Sequence, residues 1–458
     1  MTSPEAALDP LFTGPASELA RLGQRKAQGR ACRVVGVDGA GWGVQKSRTA
    51  QYYQGRLPKT SDAGRAHPEN GGAEPVTLGL LSVREQINGK IVSRFKPLGA
   101  TQMSTAPVKF DASIETPEPD EAETSRNISQ TLLQISQATL KDGGKALRSV
   151  HAKTHGLLKG ELEIADDLPP EFAQGLFAVP GKYSVVIRLS TIPGDMLDDN
   201  VSLPRGLALK VMSVKGDRLD GAGADATQDF VLVNAPAFAV PTAKAFLANL
   251  KLLAKTTDKA EGLKRVLSAT LRGLEGIVEA VGHESPALIS LGGHARTNIL
   301  GETFYSQAAI RFGDYIAKIS LKPASVELEA LKNASLNTRS PNMIRDAVTN
   351  FFRQNSAVWE LQAQLCLDLA TMPVEDSSKR WPEDESPFVT IAHVTADAQD
   401  AWLDENIREV DECMAFSPWN GLKLHQPLGS IMRVRKEAYK TSAEFRRSHN
   451  GCPIMQPG

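Results

Sequence analysis

Four short constellations carry the residues best suited to chemistry. Arg435 and Tyr439 are four residues apart, so on a helix they stand one turn apart on one face. A free phenol titrates near ~10 and is a poor ligand at neutral pH. A guanidinium beside it lowers that by roughly 1–3 units, and ferric iron lowers it further. Arg-x-x-x-Tyr therefore suits a tyrosinate ligand, although the bare pattern is common by chance. Arg148-x-x-His151 enters a strand and offers an imidazole that can take and return a proton. A lone histidine there is more often a satisfied core or surface residue. Arg188-Leu189-Ser190 ends a strongly apolar strand, where a charge is costly unless it meets an anion. Asn234-Ala235-Pro236-Ala237-Phe238 follows the strand FVLV, and Asn-x-Pro alone reads as a turn.

These side chains need elements to hold them. The segment ETPEPDEAETSRNISQTLLQISQATLKDGG predicts a turn and then a helix, with Asp120 and Glu121 in its first turn and Gly143-Gly144 as its stop. RSVHAKTHGLLKGELEI, YSVVIRLST, RGLALKVMSV and DFVLVN carry the strand signature of β-branched or alternating residues closed by Gly, Pro or Asp. Over 242–281, Phe246, Leu250, Leu253, Leu263, Val266, Leu267 and Leu271 recur at helical spacing and predict one or two amphipathic helices. Strands return at TFYSQAAIRF and YIAKISLKP, and residues 341–354 read as helix. WELQAQLCLDL alternates, with Trp359, Leu361, Ala363, Leu365 and Leu367 on one face and Glu360, Gln362, Gln364 and Asp368 on the other. FVTIAHVTA follows. About eight strands with inserted helices predict an α+β fold around an antiparallel sheet or barrel; a closed eight-stranded barrel has room for side chains or one ligand at its mouth.

Composition narrows the class. The chain has 458 residues, 41% of them hydrophobic, enough for a sizeable core. Its net charge of -1 argues against a nucleic-acid-binding surface. It has no apolar run long enough to span a membrane. MTSPEAALDPLF lacks the basic start and apolar stretch of a secretory signal, so a cytoplasmic location is expected. Cys32, Cys366, Cys413 and Cys452 show no CxxC or zinc spacing, which makes reduced thiols the default. Residues 1–102 hold 14 Lys and Arg against 8 Asp and Glu, a balance of +6, while the remainder balances at -7. That first segment is rich in Gly, Pro and small polar residues, without long periodicity. Three readings stay open for it: a disordered arm, an over-long start with Met103 as the initiator, or a small folded domain. The main domain is expected over 103–458.

Taken together and in order, the constellations resemble the haem catalases. RSVHAKTHGLLKG resembles the family's distal-histidine motif through Arg148, Val150, His151, Ala152 and Lys153. IRLSTIPGD, with Arg188, Ser190 and Thr191, and LPRGLALKV, with Arg205 and Gly206, resemble the next two strands. NAPAF matches the distal-asparagine motif at Asn234, Pro236 and Phe238, and SKRWPED resembles a further landmark at Trp381-Pro382. REVDECMAFSPWN resembles the stretch before the proximal helix through Glu409, Val410, Ala415, Phe416, Ser417 and Pro418, and RKEAYKTSAEFR the helix itself through Arg435, Tyr439 and Arg446.

The resemblance spans roughly residues 110–450 and implies a catalase-like barrel around ferric haem, expected to be haem b. It implies Tyr439 as the iron ligand, Arg435 as the cation that keeps it ionised, and His151 as the acid–base group. Ser190 would orient His151, and Asn234 would position peroxide. Arg148, Arg188 and Arg446 would pair with the haem propionates, with Val150 and Phe238 also against the cofactor. The expected activity is decomposition of hydrogen peroxide. A peroxidase, or an enzyme for organic or fatty-acid hydroperoxides, is the alternative, and a non-enzymatic haem carrier a third. Homo-oligomeric assembly stays open. Two departures stand out. An extra loop, GDRLDGAGADATQ, separates Gly206 from Asn234, and Ala239 stands where the family has a second Phe, which suggests a wider pocket. The chain resembles the small branch of the superfamily, which is also similar to allene oxide synthase-type enzymes. Val150 stands where those carry Thr, which favours peroxide chemistry.

Overall fold

The computed structural model describes residues 82–87, 90–95, 106–194, 196–201, 203–220, 226–254, 296–336 and 340–451. The chain divides into Met1–Thr77, which lies outside the described residues, and Leu78–Gly458. The readings of the first 81 residues and of the helical pattern beyond Ala254 also lie outside them. Within the basic N-terminal segment, Ser82–Ile87 (β1) and Lys90–Phe95 (β2) pair antiparallel as a sheet of their own. They fall within the stretch GLLSVREQINGKIVSRF.

Among the described residues nine further strands follow: Thr154–Ile164 (β3), Lys182–Thr191 (β4), Arg205–Val211 (β5), Gln228–Val233 (β6), Phe304–Tyr305 (β7), Ile310–Phe312 (β8), Tyr315–Pro323 (β9), Ala357–Leu365 (β10) and Val389–Ala396 (β11). All are paired antiparallel. The order runs β3-β4-β5-β6-β7-β9-β10-β11, and β11 pairs back to β3 through Ala392↔Ile164 to Thr395↔Glu161. Eight strands therefore close into a barrel, and β8 hangs on β9 as a short hairpin. Closure removes the free edges that an open sheet would expose.

Strand alternation sorts the side chains. Leu158, Leu162, Val185, Ile187, Leu209, Phe230, Ile319, Trp359, Leu361 and Val394 belong to one contiguous apolar cluster, the filled interior of a small barrel. The opposite parity, Leu157, Val186 and Ala208, packs with Val410, Met414 and Phe416 on the outer face. In β10 the polar parity does not reach solvent. Glu360, Gln362 and Gln364 are buried, and Gln364 Nε2 donates to the Ser386 carbonyl at 2.8 Å. A covering loop satisfies Gln364, and Glu360, Ser320 and Thr390 satisfy Gln362, which explains how a cleanly alternating strand can be buried on both sides.

Among the described residues four helices of ten residues or more lie outside the barrel. Glu121–Gly143 (α1) ends where Gly144 turns left-handed at φ 69 and its N–H caps the Leu140 carbonyl. Ala243–Ala254 (α2) and Met343–Phe352 (α3) are shorter. Ser430–Asn450 (α4) is the last element described. Ile128, Leu132 and Ile135 of α1 pack with Leu247 and Leu250 of α2 and with Val434 and Ala438 of α4. The start of α4 is pinned by Arg433, whose guanidinium meets Glu115 at 2.6 Å, Glu121 at 2.7 Å and Glu375 at 2.8 Å. These bonds fix the phase of the helix that carries Tyr439. Among the described residues no helix is long and apolar enough to cross a membrane. Cys366 is free and buried, but Cys413 is disulfide-bonded, which corrects the expectation of reduced thiols; spacing along the chain does not report which sulfurs the fold brings together.

Candidate active site

A cavity of about 690 Å³, counting its open mouth, lies against the outer face of β4–β6. Its far wall is helical: Leu132 from α1, and Ala438, Tyr439, Ser442, Ala443 and Arg446 from α4. Its near wall is Arg148–His151, Arg188, Ser190, Gly206, Ala208 and Val231, with Ala415 and Phe416 at one side. Phe416 is seated by a buried cross-strand pair. Lys210 Nζ meets Asp229 Oδ1 at 2.7 Å and stands 5.3 Å from the Phe416 ring centre, while Asp229 Oδ2 accepts from the Ser417 N–H at 2.9 Å.

On the barrel wall, His151 sits just before β3 with φ 56, left-handed for a residue with a β-carbon. Such a backbone costs on the order of 1–3 kcal/mol and persists only where neighbours over-determine it. Those neighbours are present. The His151 N–H donates to the Ile192 carbonyl at 2.6 Å, and Arg188 Nη2 donates to the His151 carbonyl at 2.7 Å. The ring Nδ1 lies 3.1 Å from Ser190 Oγ, which is also 3.5 Å from the Gly206 carbonyl. If that hydroxyl donates to the carbonyl, it accepts from Nδ1–H and leaves Nε2 as the free base. Gly206 is required by space. A β-carbon there would lie 2.4 Å from His151 Cε1 and 2.5 Å from Nδ1. The ring is half-buried, and it lines the cavity. Burial, and then the Arg188, Arg435 and Arg148 cations, push its pKa down to about 3. The imidazole is therefore neutral at neutral pH.

On the helical wall, Arg435 Nη2 donates to Tyr439 Oη at 2.7 Å. Ala438, Ser442 and Ala443 flank the phenol, small residues that let a flat group approach the helix. Below them three guanidiniums gather. Arg148 Nη1 and Arg188 Nε reach Asp411 Oδ1 at 2.8 Å and 2.9 Å, and Arg446 Nη1 donates to the Glu412 carbonyl at 3.0 Å. Arg446 Nε is buried with no hydrogen-bond partner among the described residues. Burial, then repulsion from Arg188, pushes the Arg446 pKa down to about 10. Arg148 is lowered as well, by burial and then by Arg188 and Arg446. Burial would raise the Asp411 carboxyl, but Arg188, Arg148 and the Thr154 hydroxyl overcome it and hold it at about 2. One carboxylate thus faces three cations, an arrangement that suits a further anion.

The sequence-singled residues separate into two sets. Arg148, Val150, His151, Arg188, Ser190, Tyr439 and Arg446 line one cavity, and Arg435 touches it through Tyr439. Asn234 does not line it. Its Oδ1 accepts from the Arg205 N–H at 2.8 Å, and its Nδ2 donates to Glu302 Oε2 at 2.5 Å. Phe238 packs edge-on against Phe246, with ring centres 5.6 Å apart, and is not in the cavity wall. Ala239 is exposed, so its missing ring opens no space beside the cavity. Arg148 and Arg188, expected on a cofactor's carboxylates, also meet Asp411. Sequence reasoning missed Asp411 and the role of Gly206. The signal was there in part: three arginines converging on one site require an anion, and VDE supplies the acids.

Comparison with known proteins gives a faint picture. No family model matches the chain. A curated protein named linolenate 9R-lipoxygenase, from Nostoc sp., is 26% identical over 309 residues, covering 64% of this chain and 37% of that protein. The chain thus spans little more than a third of that relative's length. Among solved structures, a fungal catalase gives a TM-score of 0.49 at 19% identity, over 70% of this chain and 63% of that one. Catalase A from Saccharomyces cerevisiae gives 0.48 at 16%, over 70% and 65%. A bacterial catalase gives 0.47 at 14%, over 80% and 70%. What stands independently of these likenesses is a closed eight-stranded antiparallel barrel with a C-terminal helix, and one cavity between them that gathers the histidine, the tyrosine and the arginines.

Proposed function

We propose that this cavity holds a ferric haem on Tyr439 and that the protein decomposes hydrogen peroxide there. The observation that carries the proposal is the pairing across one cavity of an arginine-bonded phenol and a neutral, serine-held imidazole. The donor set fits the group: a tyrosine Oη already receiving a guanidinium proton, small residues beside it, and a buried, unpartnered Arg446 Nε suited to a propionate. Haem, when bound, supplies the redox chemistry that cleaves the O–O bond, and a tyrosinate ligand favours it. The chain's own residues do the rest. Arg435 holds the phenolate charge on Tyr439. His151 Nε2 takes the proton from a peroxide hydroxyl and returns it to the oxygen that leaves as water, base and then acid. Ser190 and Gly206 keep that nitrogen aimed into the cavity, and Arg148, Arg188 and Arg446 provide the positive end for the carboxylates.

A second reading is an enzyme of the same pocket that acts on organic or fatty-acid hydroperoxides, or a peroxidase for organic reductants. Two observations favour it. Asn234 spends its amide on Arg205 and Glu302, so the hydrogen bond expected to position a small peroxide is not supplied from there. The curated relative is named for linolenate, a fatty acid. The test is oxygen evolution from hydrogen peroxide by haem-loaded protein, beside guaiacol oxidation and consumption of a linolenate hydroperoxide. Oxygen evolution as the dominant rate supports the first reading. Hydroperoxide or guaiacol turnover without oxygen supports the second, and no turnover of any of the three removes both.

A further inference from the structure

We propose that Asp411 is a positioning residue for His151, acting through Arg188; this rests on reading His151 as the acid–base group. Asp411 lies on the wide π-helical turn Ile407–Cys413, far in sequence from the barrel wall. Wide turns of this kind are frequent at functional sites. Its Oδ1 accepts three bonds, from Arg148 Nη1 at 2.8 Å, Arg188 Nε at 2.9 Å and Thr154 Oγ1 at 2.7 Å. Arg148 and Thr154 stand three residues before and three after His151. Asp411 therefore ties both flanks of the turn that bears the catalytic ring. The third donor closes the loop: Arg188, oriented by Asp411, gives its Nη2 to the carbonyl of His151 itself.

The charge balance explains why a carboxylate is needed. Arg148 and Arg188 are both buried or nearly so, and without Asp411 they repel each other. Arg188 would then turn from the His151 carbonyl, and the left-handed turn at φ 56 would lose the bond that opposes its relaxation. Relaxation swings the imidazole away from Ser190, on which its tautomer depends. Among the described residues no other group hydrogen-bonds the Asp411 side chain, so the carboxylate serves this turn.

The test uses Asp411→Asn, which keeps the shape and removes the charge. Arg188→Lys serves as a second variant, because it keeps a cation but loses the fork. The first readout needs no cofactor: nitrogen NMR of protein with labelled histidine, as purified, with the His151 signal assigned by its loss in His151→Gln. Wild type should show one Nδ1–H tautomer from pH 5 to 8, and both variants should show averaged or doubled His151 signals. The second readout is peroxide turnover by haem-loaded protein. Asp411→Asn should lower kcat, taken per bound haem, by roughly 10-fold with KM unchanged. It should add no further loss in a His151→Ala background, since coupled residues are non-additive. An unchanged His151 signal in the variants overturns the proposal, and so does an undiminished loss in the His151→Ala background. If the wild type turns over no peroxide, the functional reading fails by itself, and the NMR alone decides whether Asp411 positions His151.

Discussion

The two walls of the cavity are built by different means. The barrel wall places His151 through contacts distant in sequence: Ser190 on β4, Gly206 on β5, the Ile192 carbonyl, Arg188, and Asp411 from a turn more than two hundred residues later. It stores a strained backbone and has no spare volume behind the ring. The helical wall places Tyr439 through one local spacing, Arg435 to Tyr439, on a helix whose start is held by Arg433 among three glutamates. It stores no such strain, and it presents small side chains to the cavity. The contrast teaches that aim is costly and reach is cheap. A proton-transferring nitrogen must be held to within a fraction of an ångström, whereas a phenol on a helix has only the right phase to find.

The walls should therefore break differently. The largest effect is expected for His151→Ala, which should keep haem but lower peroxide cleavage by ~10²-fold or more. Equal rates in variant and wild type would remove the acid–base assignment. Gly206→Ala comes next. The new methyl overlaps the imidazole, so the ring must move or the strand must shift, with a cost of about 1–3 kcal/mol in stability and roughly 10-fold in kcat. Thermal unfolding and turnover measured together check it. Ser442→Ala on the opposite wall loses only the 3.2 Å bond from Ser149 Oγ, which keeps Ser136 Oγ at 2.8 Å, so it should cost at most about 1 kcal/mol in stability. Similar costs on the two walls would contradict the comparison.

Acid should sharpen it further. His151 is neutral in the fold with its pKa near 3, against 6.5 in the unfolded chain. Below pH 6.5 the unfolded chain gains a proton that the folded protein refuses, so stability falls as pH drops from 6.5 towards 3 and levels off beneath. The His151→Gln variant should show a flatter dependence of melting temperature over that window. Peroxide turnover should hold from pH 7 to pH 5, because the base is still unprotonated there. A half-loss near pH 6.5 would show an ordinary histidine instead.

The difference between the walls also explains what the sequence could reveal. Tyr439 and Arg435 were legible because an i, i+4 relation is local. The strands were legible because alternation and turn residues mark them, and Gly143-Gly144 announced the end of α1. Barrel closure through β11 and β3 came only as a general expectation. Asn234 was legible as a motif but not in its contacts: its amide bonds the Arg205 N–H and Glu302, and Glu302 is 68 residues away. Asp411 was legible only as one acid of VDE, because its role exists only once the barrel brings Arg148, Thr154 and Arg188 to it. Ala239 suggested a wide pocket only on the assumption that it faced one.

The central claim is that Tyr439 ligates a ferric haem in this cavity. The most direct measurement is titration of ferric haem into purified wild type and Tyr439→Phe, followed by optical absorption and electron paramagnetic resonance. Wild type should bind one haem per chain with a high-spin ferric tyrosinate signature, and Tyr439→Phe should lose that signature and most of the haem. A Tyr439→Phe protein with full haem and an unchanged spectrum would place the ligand elsewhere and contradict the account.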